Sequence, residues 1–515
     1  MLQKIKVNYI KELITEASFS RKLFLSFIFG AINALAMPPI GLFLILPISF
    51  SIFILLTTSA TNKRESFLIG WLYGAGYFIF SLYWVTYALF VDIANWWWLV
   101  PISLVIAPTI LALYYGFIPL IAYRYKKNND LHIIAICFAF ALVEYLRGTL
   151  FTGFPWNLAG YSWHHFLPIM QINAYIGIYG LTLLTFIWSS YFVLNNDFLK
   201  KIIIISFAIS AILGTYRLSS TSISHYKNTA IRIVQPNIKQ KNKWDPKYRY
   251  KNLEKLLDIT RSPINNNLPI KFVIWPETST LYKLNESNKM LNITSASLPN
   301  NAIGIFGSMN SKTLNAKQEI FNSVSFVSKK DKMITSYNKH HLVPFGEYIP
   351  FRKILGLTPF ANAIAKLGDF SRGKGITTID LGKNHPSPSP LICYEAIFPS
   401  QVTNRSNRPN WLINVTNDAW YGNSAGPYQH FEIVRVRAIE EGLPLVRAAN
   451  TGISAIINPL GIIQSKLPLE EQGKIDALLA KPIAPTLFSI FGNYIFLLSL
   501  LSIFIVCEAS YRKIK

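Results

Sequence analysis

Residues 390–398, Pro390-Leu391-Ile392-Cys393-Tyr394-Glu395-Ala396-Ile397-Phe398, decide how the polar part of this chain folds. An apolar strand-like run ends on a cysteine, and the residues after it are suited to open a helix. A nucleophile at a strand-to-helix turn is exposed and lies near backbone N–H groups that steady a thiolate and an oxyanion. The competing reading is an inert core cysteine, because free Cys behaves as a small hydrophobe.

The same alternation recurs on either side. Short aliphatic and β-branched runs occupy residues 231–234, 270–274, 303–306, 324–327, 411–415, 445–448 and 454–457, and helical patterns lie near 248–260 and 427–441. Strands alternating with helices predict α/β layers, here in one domain over residues 219–485.

Outside that domain the chain changes character. Of its 515 residues 51% are hydrophobic and only 15% charged, against about 25% charged in ordinary soluble proteins. Apolar runs fill residues 23–37, 41–60, 67–90, 96–123, 131–150, 166–194, 202–213 and 487–507. A spanning helix needs about 20 apolar residues, so the first and seventh runs reach that length only with weakly polar neighbours. Eight spans are expected, in an N-terminal membrane domain (1–218, seven helices) and a last helix with its tail (486–515). The first run ends on Met37-Pro38-Pro39, which is no small-residue cleavage site, so it is expected to remain in the mature chain.

The formal net charge is +24, but the basic residues gather beside apolar runs and form no stripe interleaved with aromatics. Nucleic acid is therefore not the expected partner, and anionic lipid headgroups are. Lys4, Lys6, Lys11, Arg21 and Lys22, then Lys63 and Arg64, Arg124, Lys126 and Lys127, Lys200 and Lys201, and Arg512, Lys513 and Lys515 mark alternate loops and both termini. The loops at 38–40, 91–95 and 151–165 carry no Lys or Arg. By the positive-inside rule both termini are cytoplasmic and the polar domain is not. Trp96, Trp97 and Trp98 fit an interfacial anchor on the domain's side.

Two of the three cysteines, Cys137 and Cys507, lie in apolar runs, which leaves Cys393 without a disulfide partner in the polar domain. Two further residues suit it chemically. Glu277 ends the strand-like run through Ile274-Trp275-Pro276, where Trp275 can desolvate the carboxylate toward a general base. Lys339, in Tyr337-Asn338-Lys339-His340-His341, can act as a fixed cation for an oxyanion. Each also has a plain reading, as a solvated loop carboxylate and a surface lysine. A Cys-His dyad through His341 or His430 is the main alternative. Adjacent histidines on a strand face opposite ways, so His340 and His341 do not suggest a metal, and no cofactor is expected.

Trp275-Pro276-Glu277, Lys339 eight residues before Glu347, and Cys393-Tyr394-Glu395 resemble, in that order, the nitrilase or carbon-nitrogen hydrolase superfamily. Residues 341–348 (His-Leu-Val-Pro-Phe-Gly-Glu-Tyr), 417–422 (Asn-Asp-Ala-Trp-Tyr-Gly) and 426–430 (Gly-Pro-Tyr-Gln-His) resemble the apolipoprotein N-acyltransferase family within it. The resemblance covers essentially the whole chain. It implies an αββα sandwich, a Glu-Lys-Cys triad, a phospholipid acyl donor, a diacylglyceryl-modified lipoprotein acceptor and the bacterial inner membrane, with the catalytic domain periplasmic. It also implies supporting roles for Tyr394 and Glu395, and substrate-binding or gating roles for Trp156, Trp244, Asn322, Asn417 and Trp420. Glu347 joins the site because a Pro-Phe-Gly turn folds it back toward Lys339. The rival expectations are a membrane-tethered amidase using the same triad, and a transporter or lipoprotein chaperone with an inactive hydrolase domain.

Overall fold

A computed structural model describes residues 12–14, 16–264, 267–314, 317–350 and 369–514. Lys4, Lys6, Lys11 and Lys515 lie outside the described residues. The chain divides into two compact units: Met1–Thr221 with Ser424–Glu432 and Phe491–Lys515, and Ser222–Asn423 with Ile433–Ile490. The segment 424–432 thus groups with the helices although its neighbours in sequence belong to the other unit.

Each expected apolar run of the first unit contains a helix, but not every one is an unbroken helix of spanning length. Five described helices are long and apolar enough to cross a membrane: Phe19–Ala36, Ile102–Tyr125, Asn129–Thr149, Asp197–Ser220 and Tyr494–Lys513. Six are reached if Lys63–Ser81 and Tyr83–Leu99, bent by 47°, form one span. The two runs that looked short are both in this set. Ser18 and Asn196 cap the helices, their side chains accepting from the N–H groups of Arg21 and of Phe198 and Leu199, so weakly polar residues join each helix. The shortfall lies elsewhere: Ile45–Ser59 is only 15 residues long, and Asn173–Ser189 is interrupted at Gly177, whose φ is 67°.

The basic helix ends meet on one side of this unit. Lys22 pairs with Glu65 at 3.3 Å and donates to the Ser59 carbonyl, Lys126 donates to the Ala60 carbonyl, and Arg124 pairs with Glu508 at 3.0 Å. Asp130 accepts from the Asn195 and Asn196 amides in the same way. Trp97 and Trp98 are exposed, at 67% and 38%.

Among the described residues of the second unit eleven strands form two sheets. These are His225–Gln235 (β1), Ile270–Lys283 (β2), Ile303–Leu314 (β3), Lys317–Ser328 (β4), Lys332–Asn338 (β5), Pro388–Ile392 (β6), Trp411–Thr416 (β7), Leu445–Ala449 (β8), Ser454–Ile457 (β9), Ile463–Leu467 (β10) and Gly473–Ala480 (β11). One sheet runs β11-β1-β2-β3-β4-β5 and the other β10-β9-β8-β7-β6. The period of two explains the layers. Ile231, Ile233, Phe272 and Ile274 enter a core shared with Ile392, Ile413, Val415 and Val446 of the other sheet. Their neighbours Ala230, Val234, Val273 and Trp275 pack with Leu253, Leu256 and Leu291 of helices Arg249–Arg261 and Asn288–Ala296. Strands buried on both faces read as continuous apolar runs, which is why the sequence displays them.

Within each sheet three adjacent strands are parallel: β1-β2-β3 and β6-β7-β8. Parallel strands end together, and in open α/β sheets ligands bind beyond their carboxyl ends. Cys393 and Asn417 follow the ends of β6 and β7 directly, and Glu277 lies within β2 where its register with β3 shifts between Trp275 and Thr280.

Candidate active site

Cys393 follows β6 directly and opens the short 3-10 turn Cys393–Ile397. Its φ is 51°, a left-handed conformation that costs an L-residue roughly 1–2 kcal/mol. The surrounding structure has to hold it there. Asn414 on β7 donates through Nδ2 to the carbonyls of Leu391 (3.2 Å) and Cys393 (3.4 Å), and Arg447 on β8 donates in turn to Asn414 and, at 2.6 Å, to Asp418. These residues are paired across adjacent parallel strands, so the sheet's register aligns the chain of side chains that holds the turn.

Glu395 sits two residues on and is fully buried. One carboxylate oxygen accepts from the Ile392 amide at 2.7 Å; the other accepts from Tyr337 Oη and the His340 amide, both at 2.8 Å, and from the His341 amide at 3.2 Å. His340 Nδ1 lies 2.6 Å away. Burial alone would raise this carboxyl, but the His340 ring, the Ile392 amide and Lys339 together hold it below the usual range. Glu395 therefore fastens the loop that carries Lys339 to the turn that carries Cys393. A group with a lowered folded pKa contributes stability above its unfolded pKa and loses it as pH falls through the folded value. Glu395→Gln is expected to cost about 3 kcal/mol at pH 7. Thermal melts should show the gap from wild type closing below about pH 4.

Glu277 is placed by an irregularity. The β2–β3 register shifts between Trp275 and Thr280, and Thr278 has a φ of 43°. The bend brings the Pro276 carbonyl against Gly307, where a Cβ would come within 1.9 Å of the oxygen, so only glycine fits. The buried carboxylate accepts from Asn322 Nδ2 at 2.7 Å on Oε1 and from the Asn417 amide at 2.9 Å on Oε2. Lys339 Nζ lies 3.7 Å from Oε1.

Lys339 is 1% exposed and also 2.9 Å from Glu347 Oε1. Burial opposes its charge, but the carboxylates of Glu347 and Glu277 outweigh that and hold the ammonium well above its ordinary range. Glu347 reaches it because its other oxygen accepts from the Val343 amide at 2.8 Å, closing the Pro344-Phe345-Gly346 turn. Asn322 Nδ2 donates to Glu347 at 2.9 Å as well, so one amide bridges the two carboxylates.

The thiol feels this cluster. Burial pushes Cys393 up to about 12, the Glu277 charge adds to the rise, and the Lys339 ammonium opposes it. At neutral pH the resting group is a thiol. The histidines have other surroundings: the His341 ring stacks on Phe398 with centroids 3.8 Å apart, and His430 packs on Trp156 in the helical unit.

The remaining expected residues divide. Tyr394 is buried edge-on to Phe398, and Asn417 extends its side chain to Gln240 and Asn450, at 2.8 and 2.9 Å. Trp420 is half-buried on the turn Asp418–Tyr421. Trp244 is 42% exposed. Trp156 belongs to the helical unit, where its Nε1 donates to Gln429 at 2.8 Å and its carbonyl accepts from Arg147 at 2.9 Å. Gln240, Lys243, Asn414, Asn450 and Arg447 were not foreseen. The contacts that tie their side chains to the site run to partners on other elements, so no local pattern marks them.

Comparison with known proteins agrees with this architecture. Residues 29–191 match the apolipoprotein N-acyltransferase N-terminal domain, and residues 230–482 match the carbon-nitrogen hydrolase family. The chain is similar to the apolipoprotein N-acyltransferase of Rhodopseudomonas palustris, 35% identical over 486 residues that cover 90% of both chains. It is equally similar to that of Rickettsia typhi, 35% identical over 93% of this chain and 96% of the relative. The corresponding protein of Allorhizobium ampelinum is 36% identical over 90% and 91%.

Proposed function

The chain belongs to the apolipoprotein N-acyltransferase family, and on that premise we propose how its acyl transfer runs and where in the membrane it takes place. The reaction moves a fatty acyl chain from a phospholipid to the α-amino group of a diacylglyceryl-modified cysteine at a lipoprotein's N-terminus. The observation that carries the mechanism is the single buried cluster in which Glu277, Lys339 and Glu347 converge and to which the Cys393 thiol is electrostatically coupled.

In the first half reaction Glu277 takes the Cys393 proton as sulfur attacks an ester carbonyl of the phospholipid. A thiol near 12 holds its proton at rest, so proton loss accompanies carbon–sulfur bond formation. Lys339 and backbone N–H groups near the turn stabilise the oxyanion. The protonated Glu277 returns the proton to the departing lysophospholipid, leaving a thioester. In the second half reaction the neutral α-amino group attacks the thioester, Glu277 accepts its proton, and the amide and free thiol form. Amines of this type have a reference pKa near 8, so a usable neutral fraction exists at neutral pH. Two substrates using one site in turn give ping-pong kinetics.

Glu347 is assigned to holding Lys339 charged and oriented. Glu347→Gln keeps the shape and one acceptor but removes half of the negative charge that faces the ammonium. Turnover is expected to fall about 10- to 100-fold with the phospholipid KM little changed, a loss of transition-state rather than ground-state stabilisation. Full turnover in this variant would remove the role.

The chain is a multi-pass membrane protein, and we assign it eight crossings. The two short or interrupted helices and the bent pair complete the count. Both termini are then cytoplasmic and the catalytic domain, residues 219–485, lies on the periplasmic side of a bacterial inner membrane. This reading is supported by the basic residues, which cluster on one side of the helical unit, as retained cytoplasmic loops do. Trp156, Trp244 and Trp420 are assigned to substrate contact or gating.

Incubation with labelled phospholipid, with and without a lipopeptide acceptor, separates transfer from hydrolysis. Acyl-lipopeptide should form in the presence of acceptor, with little free fatty acid in its absence. Free fatty acid released at the same rate either way would instead identify an amidase-type hydrolase that uses water.

A further inference from the structure

The turn that precedes Trp244 meets the base from behind. Gln240–Lys243 is a short helix whose last residue is 3% exposed, and Lys243 Nζ donates to the main-chain carbonyl of Glu277 at 2.9 Å. Among the described residues no carboxylate lies within ion-pair distance of this ammonium. Such a buried cation is costly unless something requires it. The peptide it grips is the unusual one, because Thr278 immediately after has a φ of 43° and the β2–β3 register breaks there.

The same turn reaches Glu277 by a second route. Gln240 Oε1 accepts from Asn417 Nδ2 at 2.8 Å, and the Asn417 amide holds Glu277 Oε2 at 2.9 Å. Asn450 fixes both parts, donating to the carbonyls of Asn417's side chain (2.9 Å) and of Ile238 (2.8 Å) and accepting from the Ile238 amide (2.9 Å). One short segment thus grips the base at its main chain and steadies the amide that grips its carboxylate.

We propose that Lys243 is a positioning residue of the acyl transfer, fixing the main chain at Glu277 and thereby the aim of the base. The inference rests on Glu277 serving as the base. Lys243 also places a second positive charge beside a site where negative charge develops on sulfur and oxygen, so charge as well as the hydrogen bond is used.

The test is a series at this position in the full-length, lipid-reconstituted enzyme. Lys243→Arg keeps donor and charge, Lys243→Gln keeps a donor alone, and Lys243→Met keeps neither. The rate of acyl-enzyme formation from phospholipid is followed by intact mass and normalised to folded protein. The expected order is Arg, then Gln, then Met, with Met slower than wild type by about 100-fold and the phospholipid KM changed less than about threefold. Equal rates per folded molecule across the series, or failure of all three variants to fold, would assign Lys243 to stability alone and overturn the proposal. Wild type is run in parallel: absence of its acyl adduct would refute the thioester mechanism itself, whereas a normal wild-type adduct with unaffected variants refutes only the role of Lys243.

Discussion

Cys393→Ala is expected to abolish acyl transfer, with turnover down on the order of 10⁶-fold, the scale seen when a covalent nucleophile is removed. The reason is chemical and not one of folding. The φ of 51° strains alanine and cysteine alike, so the turn held by Asn414 and Glu395 should survive. Loss of one buried sulfur leaves a small cavity worth about 1 kcal/mol. The variant should therefore purify and melt like wild type while remaining unable to take an acyl group. Cys393→Gly sharpens the point, because glycine adopts this φ without penalty: it should be as inactive as the alanine variant and at least as stable. Turnover measured on lipopeptide, beside a thermal melt, checks both statements. A transporter or chaperone with an inactive hydrolase domain predicts that neither substitution matters.

Lys339→Met carries the second largest expected effect, and it acts twice. The oxyanion loses its cation, which for a single preorganised donor costs about 10²- to 10³-fold in turnover. The resting enzyme also loses the charge between Glu347 at 2.9 Å and Glu277 at 3.7 Å, leaving two buried carboxylates bridged by the single Asn322 amide. Breaking one partner out of a buried ion cluster costs roughly 3–5 kcal/mol. That penalty is relieved when the pair takes up a proton, so the variant should be less destabilised at pH 5 than at pH 8. In wild type the Lys339 pKa is raised, so its contribution is complete below the unfolded lysine value of about 10.4 and does not vary near neutrality. A melting-temperature difference that grows with pH between 5 and 8 distinguishes loss of this charge from simple loss of packing.

Much of this was legible in the sequence for identifiable reasons. The parallel strands β1, β2, β3, β6, β7 and β8 are largely buried and stand out as apolar runs. The edge strands β5, β10 and β11 were missed because most of their residues are not fully buried and polar ones, Lys332, Lys466 and Lys474 among them, break up the apolar runs. Membrane helices were visible through length and apolarity, but their interruptions were not. Gly177 and the 47° bend after Ser81 lie inside continuous apolar stretches, where composition does not change as the backbone turns.

At the site, the order Glu277, Lys339, Cys393 and the return of Glu347 across its turn were readable because each lies at a strand end or beside turn formers. The His341 and His430 alternatives were equally reasonable from residue type, and the structure shows the two rings packed on Phe398 and Trp156. Of the amides around Glu277, Asn322 reaches it across 45 residues, and Asn417, Gln240 and Asn450 derive their meaning from contacts across more than a hundred. Lys243 is hidden for a different reason. One more lysine in a basic stretch between Lys241 and Lys247 looks like a solvated charge until the fold buries it.

The thioester is the point on which the mechanism turns, and intact-mass spectrometry under single-turnover conditions detects it directly. Wild-type enzyme given phospholipid without acceptor should gain the mass of one acyl chain, located by peptide mapping on Cys393, and lose it when lipopeptide is added at a rate no slower than turnover. Cys393→Ala should never gain it. Wild-type enzyme that N-acylates lipopeptide at full rate without ever carrying an acyl group on Cys393, or that carries one which lipopeptide does not discharge, would contradict the covalent mechanism.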